Sequence, residues 1–224
     1  NEGLVLFCLA WVGMEPRAFA RRGPPRPSGL SPLRQILIAA CAMAALALAQ
    51  WWLSTRPLWA GYATMIAASL IIHFSLLRFV GAGLRRMGYG VREPFDRPIV
   101  STSLAEFWGQ RWNRPFIELG SIAVYRPLQR RWGRAGGLVA MFLVSGLLHE
   151  LAISVPVQRG YGGPFAYFLL HGLLVLCDEA AGRRWLRVGG LGGRIWTIAW
   201  LLLPLPILFH ASFVNAIFLS LIDG

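Results

Sequence analysis

Long apolar runs separated by short arginine-rich loops are the feature of this sequence that most limits how it can fold. Five runs, at residues 33–53, 58–80, 135–157, 164–180 and 195–213, approach or exceed the roughly 20 residues with which an α-helix crosses a bilayer. Backbone polar groups in lipid must find partners within the chain, and helices satisfy that condition. The runs therefore predict an all-α, polytopic transmembrane helix bundle.

The composition agrees with a membrane protein. Of the 224 residues, 56% are hydrophobic and 14% are charged, whereas about a quarter of the residues of a soluble domain are charged. The formal net charge of +12 comes from arginine, because the chain contains no lysine. The arginines lie between the apolar runs and not along one basic stripe, which excludes nucleic acid as an expected partner and favours membrane lipids.

The distribution of arginine predicts how the chain is oriented. The loops at 15–34, 78–134 and 182–194 hold 5, 11 and 4 arginines, which is 20 of the 22. If these loops share one side of the membrane, only Arg56 and Arg159 lie on the other. Cytoplasmic loops carry such an excess of positive charge, so we expect an integral, multi-pass protein whose basic loops are cytoplasmic.

The beginning of the chain predicts a missing piece. Residues 3–14 form an apolar run of about 12 residues, which is short for a span, and no basic segment of the kind that opens a signal peptide precedes it. We expect residues 1–224 to be a single membrane-embedded domain that is cut inside or just before its first helix.

A short helix is predicted between the second and third complete spans. Ser103 and Glu106 have the spacing of a capping box, which places the helix start at Ser103. Pro115 should end the helix near Arg114. About 11 residues at 1.5 Å each cannot cross a bilayer, so this helix should be re-entrant or interfacial. A basic connector that extends to Arg134 is expected to follow it.

Residues 142–156 (FLVSGLLHELAISVP) place His149 and Glu150 inside an apolar run. Ionisable side chains are costly in a membrane and tend to mark a functional pathway. A neutral imidazole in a dry site can act as a general base, and the Ser145 hydroxyl could hold its orientation. Glu150 is rotated by about 100° from His149 on an ideal helix. The alternative is a buried hydrogen bond that only joins helices.

Residues 107–116 (FWGQRWNRPF) form a second polar stretch. Trp108 and Trp112 are four residues apart and would share a helical stripe, which is also typical of simple interfacial anchoring. Asn113 is not explained by anchoring. Its amide, placed at the predicted helix end, could orient a carbonyl group or stabilise developing negative charge.

Other catalytic motifs are not found. The sequence HELAI has Ile153 where a zinc site of the form HExxH needs its second histidine, and no metal site is predicted. His73, His171 and His210 lie in apolar runs and are interpreted as packed or hydrogen-bonded residues. The sequence contains no GxSxG, P-loop or dinucleotide fingerprint.

Together the two polar stretches resemble the membrane-bound O-acyltransferase superfamily, in particular its wax synthase-like branch. That family pairs an aromatic-rich motif of the form FW..RW(N/H)..F with a later apolar helix that carries one histidine in a context like S-(x)3-HE. The corresponding segments here are residues 107–116 and 145–150 (SGLLHE), the latter followed by Ser154-Val155-Pro156. The resemblance covers about residues 95–215.

The resemblance implies that His149 is the catalytic base and Asn113 its partner in acyl transfer from a thioester to a hydroxyl group. Substrate binding is expected from five further residues of the two motifs: Trp108, Arg111, Trp112, Ser145 and Glu150. The first three would lie on the acyl-donor side, with cytoplasmic arginines meeting the phosphates of coenzyme A. Acyl-CoA is then a co-substrate, and no bound cofactor or metal is required.

The expected reaction is esterification of a lipophilic, long-chain alcohol by acyl-CoA to give a wax-type ester. Two alternatives remain open at this stage. One is an enzyme of the same superfamily that acylates a sterol, a diacylglycerol or a polysaccharide. The other is a non-enzymatic membrane transporter or scaffold with a buried His-Glu pair.

Overall fold

A computed structural model describes residues 57–71, 77–180 and 190–222, together with isolated positions between 19 and 51. Every regular element of these residues is helical, which confirms the all-α fold class. The predicted spans at 3–14 and 33–53 lie wholly or largely outside the described residues. The number of membrane crossings therefore stays a prediction.

The chain divides into two compact units. The first comprises Asn1–Asp96 with Trp112–Leu119, and the second comprises Arg97–Arg111 with Gly120–Gly224. The two polar motifs are split by this division, because the Trp108 turn and His149 belong to the second unit and Asn113 to the first.

The first unit contains two helices over the predicted span at 58–80, α1 (Pro57–Ile71) and α2 (Leu77–Arg86). Residues 72–76 between them are not described. Burial of Leu84 and Tyr89 against Phe19 anchors the end of α2 in a small apolar core, which removes these side chains from water.

Glu93 ties α2 to the chain that follows it. Its carboxylate pairs with Arg85 at 2.7 Å and with Arg78 at 3.3 Å. Arg85 is buried, and a buried guanidinium is tolerated in proteins only when it is paired. The ion pairs therefore fix how the extended chain after α2 returns along the helix.

The capped helix begins at Ser103, as predicted. The Ser103 hydroxyl accepts a hydrogen bond from the Glu106 N–H at 3.1 Å, and the Glu106 carboxylate accepts one from the Thr102 N–H at 2.8 Å. The helix consists of α3 (Leu104–Glu106) and a π-helical turn (Phe107–Arg111). It ends at Arg111, slightly before the predicted end near Arg114.

The predicted basic connector up to Arg134 is wrong, because those residues are helical. Helix α4 (Arg114–Gly120), a second π-helical turn (Ser121–Tyr125) and α5 (Arg126–Val157) follow one another. Arginine is a good helix former, so a cluster of arginines marks a membrane surface without ending a helix.

Gly133 marks the place where α5 changes character. Its φ of 72° and ψ of 179° are non-helical and kink the helix, in a region of backbone space that glycine alone enters readily. The kink separates the arginine-rich first part of α5 from the apolar run predicted to begin at residue 135. The boundary that the sequence predicts at residue 135 is therefore a bend within the helix and not a helix end.

Helices α5 and α6 (Gly163–Ala180) form an antiparallel pair. A Cβ built on Gly146 would lie 3.2 Å from the Cα of Phe165, and one built on Gly172 would lie 3.0 Å from the Cβ of Phe142. Residue numbers thus rise along one helix as they fall along the other. Small residues at such contacts let membrane helices approach closely. Helix α6 matches the predicted run at 164–180 to within one residue.

The last predicted span is interrupted at Pro204, as expected. Helix α7 (Gly190–Leu202) starts earlier than residue 195, and the short α8 (Leu205–Leu208) and α9 (Ala211–Ile222) follow the break. The Tyr167 hydroxyl donates to the Leu201 carbonyl at 3.1 Å, which joins α6 to the end of α7.

Two helical segments in the described part of the chain are long and apolar enough to cross a membrane, Arg114–Val157 and Gly190–Leu208. Only 28% and 22% of their most apolar windows are buried within the structure. Leu151 and Leu203 are 61% and 77% exposed. The core helix of a soluble protein buries its apolar face, so these outward apolar surfaces indicate a membrane protein.

Candidate active site

His149 is held by the backbone of its own helix. Its Nδ1 lies 2.8 Å from the carbonyl oxygen of Ser145, one turn earlier in α5. A carbonyl can only accept a hydrogen bond, so Nδ1 must carry the proton, and in the neutral ring the lone pair is then on Nε2. The contact shown is made by the Ser145 carbonyl, and the role of the Ser145 hydroxyl stays a prediction. The arrangement presents Nε2 as a base.

The imidazole of His149 extends from α5 toward α6. Its ring centroid is 4.2 Å from that of Phe168, which is 2% exposed, and His149 itself is half-buried. Its neighbours Leu148 and Leu151, at 49% and 61% exposure, cover the outer side of the helix. A half-buried base next to an aromatic wall meets the first requirement of general-base chemistry in a dry site.

Phe168 belongs to a continuous aromatic cluster, which we define as Trp108, Phe142, His149, Tyr167, Phe168 and His171. The indole of Trp108 is its hub. The ring centroid of Trp108 lies 5.6 Å from Phe168, 5.5 Å from His171 and 6.3 Å from Phe142. The contacts with His171 and Phe142 are edge-on and that with Phe168 is tilted, and such ring contacts are favourable and fix ring orientation. Trp108 and His149, two of the predicted site residues, thus both contact Phe168.

His171 repeats the arrangement of His149. Its Nδ1 lies 2.8 Å from the carbonyl of Tyr167, one turn earlier in α6, and its side chain is fully buried. The interpretation of His171 as a packed, hydrogen-bonded residue is confirmed for this nitrogen. Sequence reasoning missed its place beside Trp108, because no local pattern links the two residues.

Glu150 caps the next helix. Its two carboxylate oxygens accept hydrogen bonds from the N–H groups of Gly162 at 2.9 Å and Phe165 at 3.2 Å. A carboxylate at a helix N-terminus satisfies unpaired donors and interacts well with the helix dipole. These contacts support a positioning role for Glu150. Gly146, one turn before Glu150, permits the close approach of α6.

The turn that carries Trp108 is π-helical over Phe107–Arg111. Turns of this kind are rare and frequently occur at functional sites. Arg111 closes the turn by pairing with Glu106, with its Nε 2.7 Å from Oε1. Burial by itself raises the pKa of Glu106, but hydrogen bonds from Thr102 and Arg111 outweigh it and lower the pKa below the ordinary value.

Asn113 and Trp112 belong to the first unit. Asn113 has a φ of 44° and caps α4, since its Oδ1 accepts a hydrogen bond from the Phe116 N–H at 3.3 Å. Asparagine is among the few residues that adopt this left-handed conformation readily. The cap uses the oxygen end of the amide, so Nδ2 is the end that can donate to another group. The ring of Trp112 meets Phe95 at 5.1 Å.

His210 is different from the other two described histidines. Its Nδ1 accepts a hydrogen bond from the Phe213 N–H at 3.2 Å, so in the neutral ring Nε2 carries the proton. Nε2 lies 3.4 Å from the hydroxyl of Ser154 and cannot take a proton from it in this tautomer. His210 therefore caps α9 through Nδ1 and does not form a catalytic serine-histidine arrangement with Ser154.

Comparison with known proteins bears directly on these motifs. Residues 91–170 match the model of the membrane bound O-acyl transferase family. This segment contains Asn113, the π-helical turn with Trp108, and His149. The resemblance predicted from the two sequence motifs is confirmed.

Curated relatives carry names from the same chemistry. The chain is 34% identical over 148 residues to probable long-chain-alcohol O-fatty-acyltransferase 2 of Arabidopsis thaliana, which covers 58% of this chain and 43% of that protein. It is 31% identical over 140 residues to probable long-chain-alcohol O-fatty-acyltransferase 6 of the same plant, covering 59% and 40%. For the long-chain-alcohol O-fatty-acyltransferase of Simmondsia chinensis the identity is 31% over 137 residues, covering 53% and 39%. The chain thus spans less than half the length of these relatives.

Proposed function

We propose, from the confirmed similarity to membrane-bound O-acyltransferases, that this chain carries the catalytic histidine of an enzyme that esterifies a long-chain alcohol with acyl-CoA. The observation that supports this most directly is the His149 ring, with Nδ1 held by the Ser145 carbonyl at 2.8 Å inside the family-matched segment. That arrangement supplies an unprotonated Nε2, which is the group that the reaction needs.

The proposed reaction moves one proton and exchanges one bond. Nε2 of His149 accepts the proton of the alcohol hydroxyl as the alcohol oxygen attacks the carbonyl carbon of the thioester. When the tetrahedral intermediate collapses, the carbon–sulfur bond breaks and the imidazolium returns the proton to the leaving thiolate. The products are a wax-type ester and free coenzyme A.

Asn113 is proposed to stabilise the oxyanion of the tetrahedral intermediate. Its Oδ1 is fixed by the Phe116 N–H, which leaves Nδ2 as the donor, and a single preorganised donor of this kind contributes about 10²–10³ in rate. The pairing of Asn113 with His149 in one site is part of the proposal, as is the approach of acyl-CoA from a cytoplasmic, arginine-rich side.

The proposal gives different roles to the remaining predicted substrate-binding residues. Trp108 lies in the aromatic cluster with His149, and Trp112 and Arg111 are proposed to contact acyl-CoA. Arg111 is already paired with Glu106, so its charge is partly neutralised. Ser145 and Glu150 are proposed to position the base and α6 and not to touch substrate, because the Ser145 carbonyl and the Glu150 carboxylate have backbone or imidazole partners.

The transporter alternative loses support from the contacts of Glu150. A proton-coupling pair would need the carboxylate and the imidazole to exchange a proton, but Glu150 accepts from the N-terminus of α6. Among the possible acceptors, a long-chain alcohol is proposed because the names of the relatives refer to long-chain alcohols.

The test is ester formation by membranes that contain the full-length protein, with palmitoyl-CoA and hexadecanol as substrates. His149→Gln keeps a polar side chain of similar reach but removes the base, and we expect its activity to fall by about 10²–10⁴-fold at unchanged expression. Thr197→Val is the matched control, because Thr197 is buried and its hydroxyl donates to the Gly193 carbonyl of its own helix. Full activity in His149→Gln would refute the proposal.

A further inference from the structure

The arginine-rich first part of α5 is folded back beside the apolar part that follows it. A Cβ built on Gly137 would lie 2.9 Å from the carbonyl oxygen of Tyr125, and one built on Gly120 would touch the end of the Met141 side chain. A straight helix would instead hold residues 125 and 137 about 18 Å apart. The bend at Gly133 therefore makes a helical hairpin, along which residue numbers rise on one side as they fall on the other.

The tip of this hairpin is strongly basic. Residues 126–134, which we call the hairpin tip, contain four arginines and no acidic residue. One of the four, Arg134, is neutralised by a two-point ion pair with Glu179 of α6. The other three are exposed and form no ion pair with a residue that the structure describes: Arg126, Arg130 and Arg131. Like charges one helical turn apart repel each other, so this arrangement favours binding of an anion from outside the chain.

The hairpin tip is placed where a membrane surface would meet the protein. The apolar run that is predicted to cross the membrane begins at residue 135, directly after the tip, and the fold-back keeps the tip beside the first turns of that run. Trp132 is 60% exposed, and the Arg131 guanidinium lies 5.9 Å from the centre of its ring. Exposed tryptophan is typical of the membrane–water interface. Ile122, on the stem of the hairpin, is 46% exposed, which suits contact with lipid.

We propose that the hairpin tip binds the headgroups of anionic phospholipids through Arg126, Arg130 and Arg131. A guanidinium group pairs with phosphate oxygens through two parallel N–H donors, and a cluster of basic residues next to a membrane span attracts anionic lipids. The arginine distribution predicts that this end of α5 faces the cytoplasm, where the membrane surface is negative. The inference does not depend on the proposed reaction. Coenzyme A also carries phosphates, so the test includes it as a competitor.

The test measures which lipids stay bound to the full-length protein. The protein is purified in detergent that contains phosphatidylglycerol and a tenfold excess of phosphatidylcholine, and the bound lipids are quantified by mass spectrometry. We expect the wild type to retain phosphatidylglycerol well above its share of the mixture. Arg130→Gln/Arg131→Gln should lower this enrichment about tenfold, because each arginine near a membrane surface contributes severalfold to the affinity for anionic lipid. Arg130→Lys/Arg131→Lys keeps both charges and should retain most of the enrichment.

The matched control is Arg92→Gln/Arg159→Gln, which removes the same net charge from two exposed positions outside the hairpin tip. We expect it to keep the wild-type enrichment. Raising NaCl from about 0.05 M to about 0.5 M should weaken the enrichment in the wild type, because salt screens exposed charges. The arginines replaced in the tip are exposed and glutamine is a good helix former, so these variants should fold, and thermal unfolding checks that they do.

The outcomes decide between lipid, coenzyme A and a simple effect of charge. Enrichment that survives millimolar coenzyme A and falls in the double glutamine variant of the tip, but not in the control, supports the proposal. Displacement of phosphatidylglycerol by coenzyme A would assign the hairpin tip to coenzyme A phosphates and overturn the proposal. Wild-type protein that holds the two lipids in their supplied proportion, or equal losses in the tip variant and the control, would also overturn it.

Discussion

The carboxylate of Glu150 accepts a hydrogen bond from the backbone N–H of Phe165 at 3.2 Å, across the turn between α5 and α6. Its other oxygen takes the N–H of Gly162. Because Glu150 follows His149 directly, this cap fixes the end of α6 that lies beside the proposed base. A residue that sequence reasoning assigned to substrate binding thus has a structural contact of its own.

Removing this cap should reduce stability more than it affects substrate binding. We expect Glu150→Ala to destabilise the protein by about 1–2 kcal/mol, since two helix N-terminal donors lose their acceptor. Glu150→Gln, which keeps one oxygen, should cost less. The measurement is thermal unfolding in detergent together with KM for both substrates. A raised KM at an unchanged unfolding temperature would instead assign Glu150 to substrate.

Gly160 should tolerate no side chain. Its φ is +73°, and a Cβ would lie 2.3 Å from Cγ of His210. We expect Gly160→Ala to cost at least about 3 kcal/mol, because backbone strain and the clash with the imidazole add. Gly162→Ala is the control, with a φ of +87° and no atom within 4 Å of the added Cβ, and should cost about 1–2 kcal/mol. Equal losses in the two variants would contradict the packing described for His210.

The Glu106–Arg111 pair predicts an acid-sensitive turn. Hydrogen bonds from Thr102 and Arg111 hold the pKa of Glu106 below its ordinary value of 4.5, against the opposing effect of burial. A carboxyl whose pKa is lower in the folded state stabilises the protein above the unfolded-state pKa and loses that contribution as the pH falls through the folded-state pKa. Wild-type stability should therefore drop below about pH 4.5 more steeply than that of Glu106→Gln.

The control for this pH dependence is Glu118→Gln. Glu118 pairs with Arg92 at 3.5 Å, and the Arg92 side chain is 74% exposed, so this ion pair should contribute little. Its unfolding profile between pH 3 and 6 is expected to follow that of the wild type. A Glu106→Gln profile that also follows the wild type would show that the carboxylate is not coupled to folding.

The arginine distribution predicts which loops face the cytoplasm. Single cysteines at Arg159 and Arg184, introduced after the native cysteines are replaced, should react differently with a membrane-impermeant maleimide. We expect Arg159→Cys to be labelled in intact cells and Arg184→Cys only after permeabilisation. Labelling of both in intact cells would show that the basic loops do not share the cytoplasmic side.

The helix start at Ser103 and both ends of α6 follow from local signals, which is why the sequence predicted them. A hydroxyl three residues before a glutamate satisfies helix N–H groups wherever it occurs. The apolar run at 164–180 is bounded by Gly-Gly-Pro and Asp-Glu, and α6 follows those limits. The charge pattern around Arg126 and Arg134 was misleading, because charge reports the membrane surface and not the backbone conformation.

The π-helical turn and the aromatic cluster could not be predicted in the same way. Neither the i→i+5 bonding of Phe107–Arg111 nor the contact between Trp108 and His171 has a signature in residue spacing. His149 was predicted as the base, but the atom that orients it is a carbonyl, which every residue possesses. Tertiary packing determined these features.

The acceptor that sets the tautomer of His149 is the backbone carbonyl of Ser145, which no side-chain substitution removes. Alanine substitution at any position of α5 would leave this oxygen in place. An alanine scan would therefore not identify the group that orients the ring. The acceptor stays where it is only while this turn of α5 remains wound, since the same carbonyl is part of the helix backbone. Local fraying of one turn would free both ring nitrogens to exchange their proton, so the protein would lose its base while every other helix stayed intact.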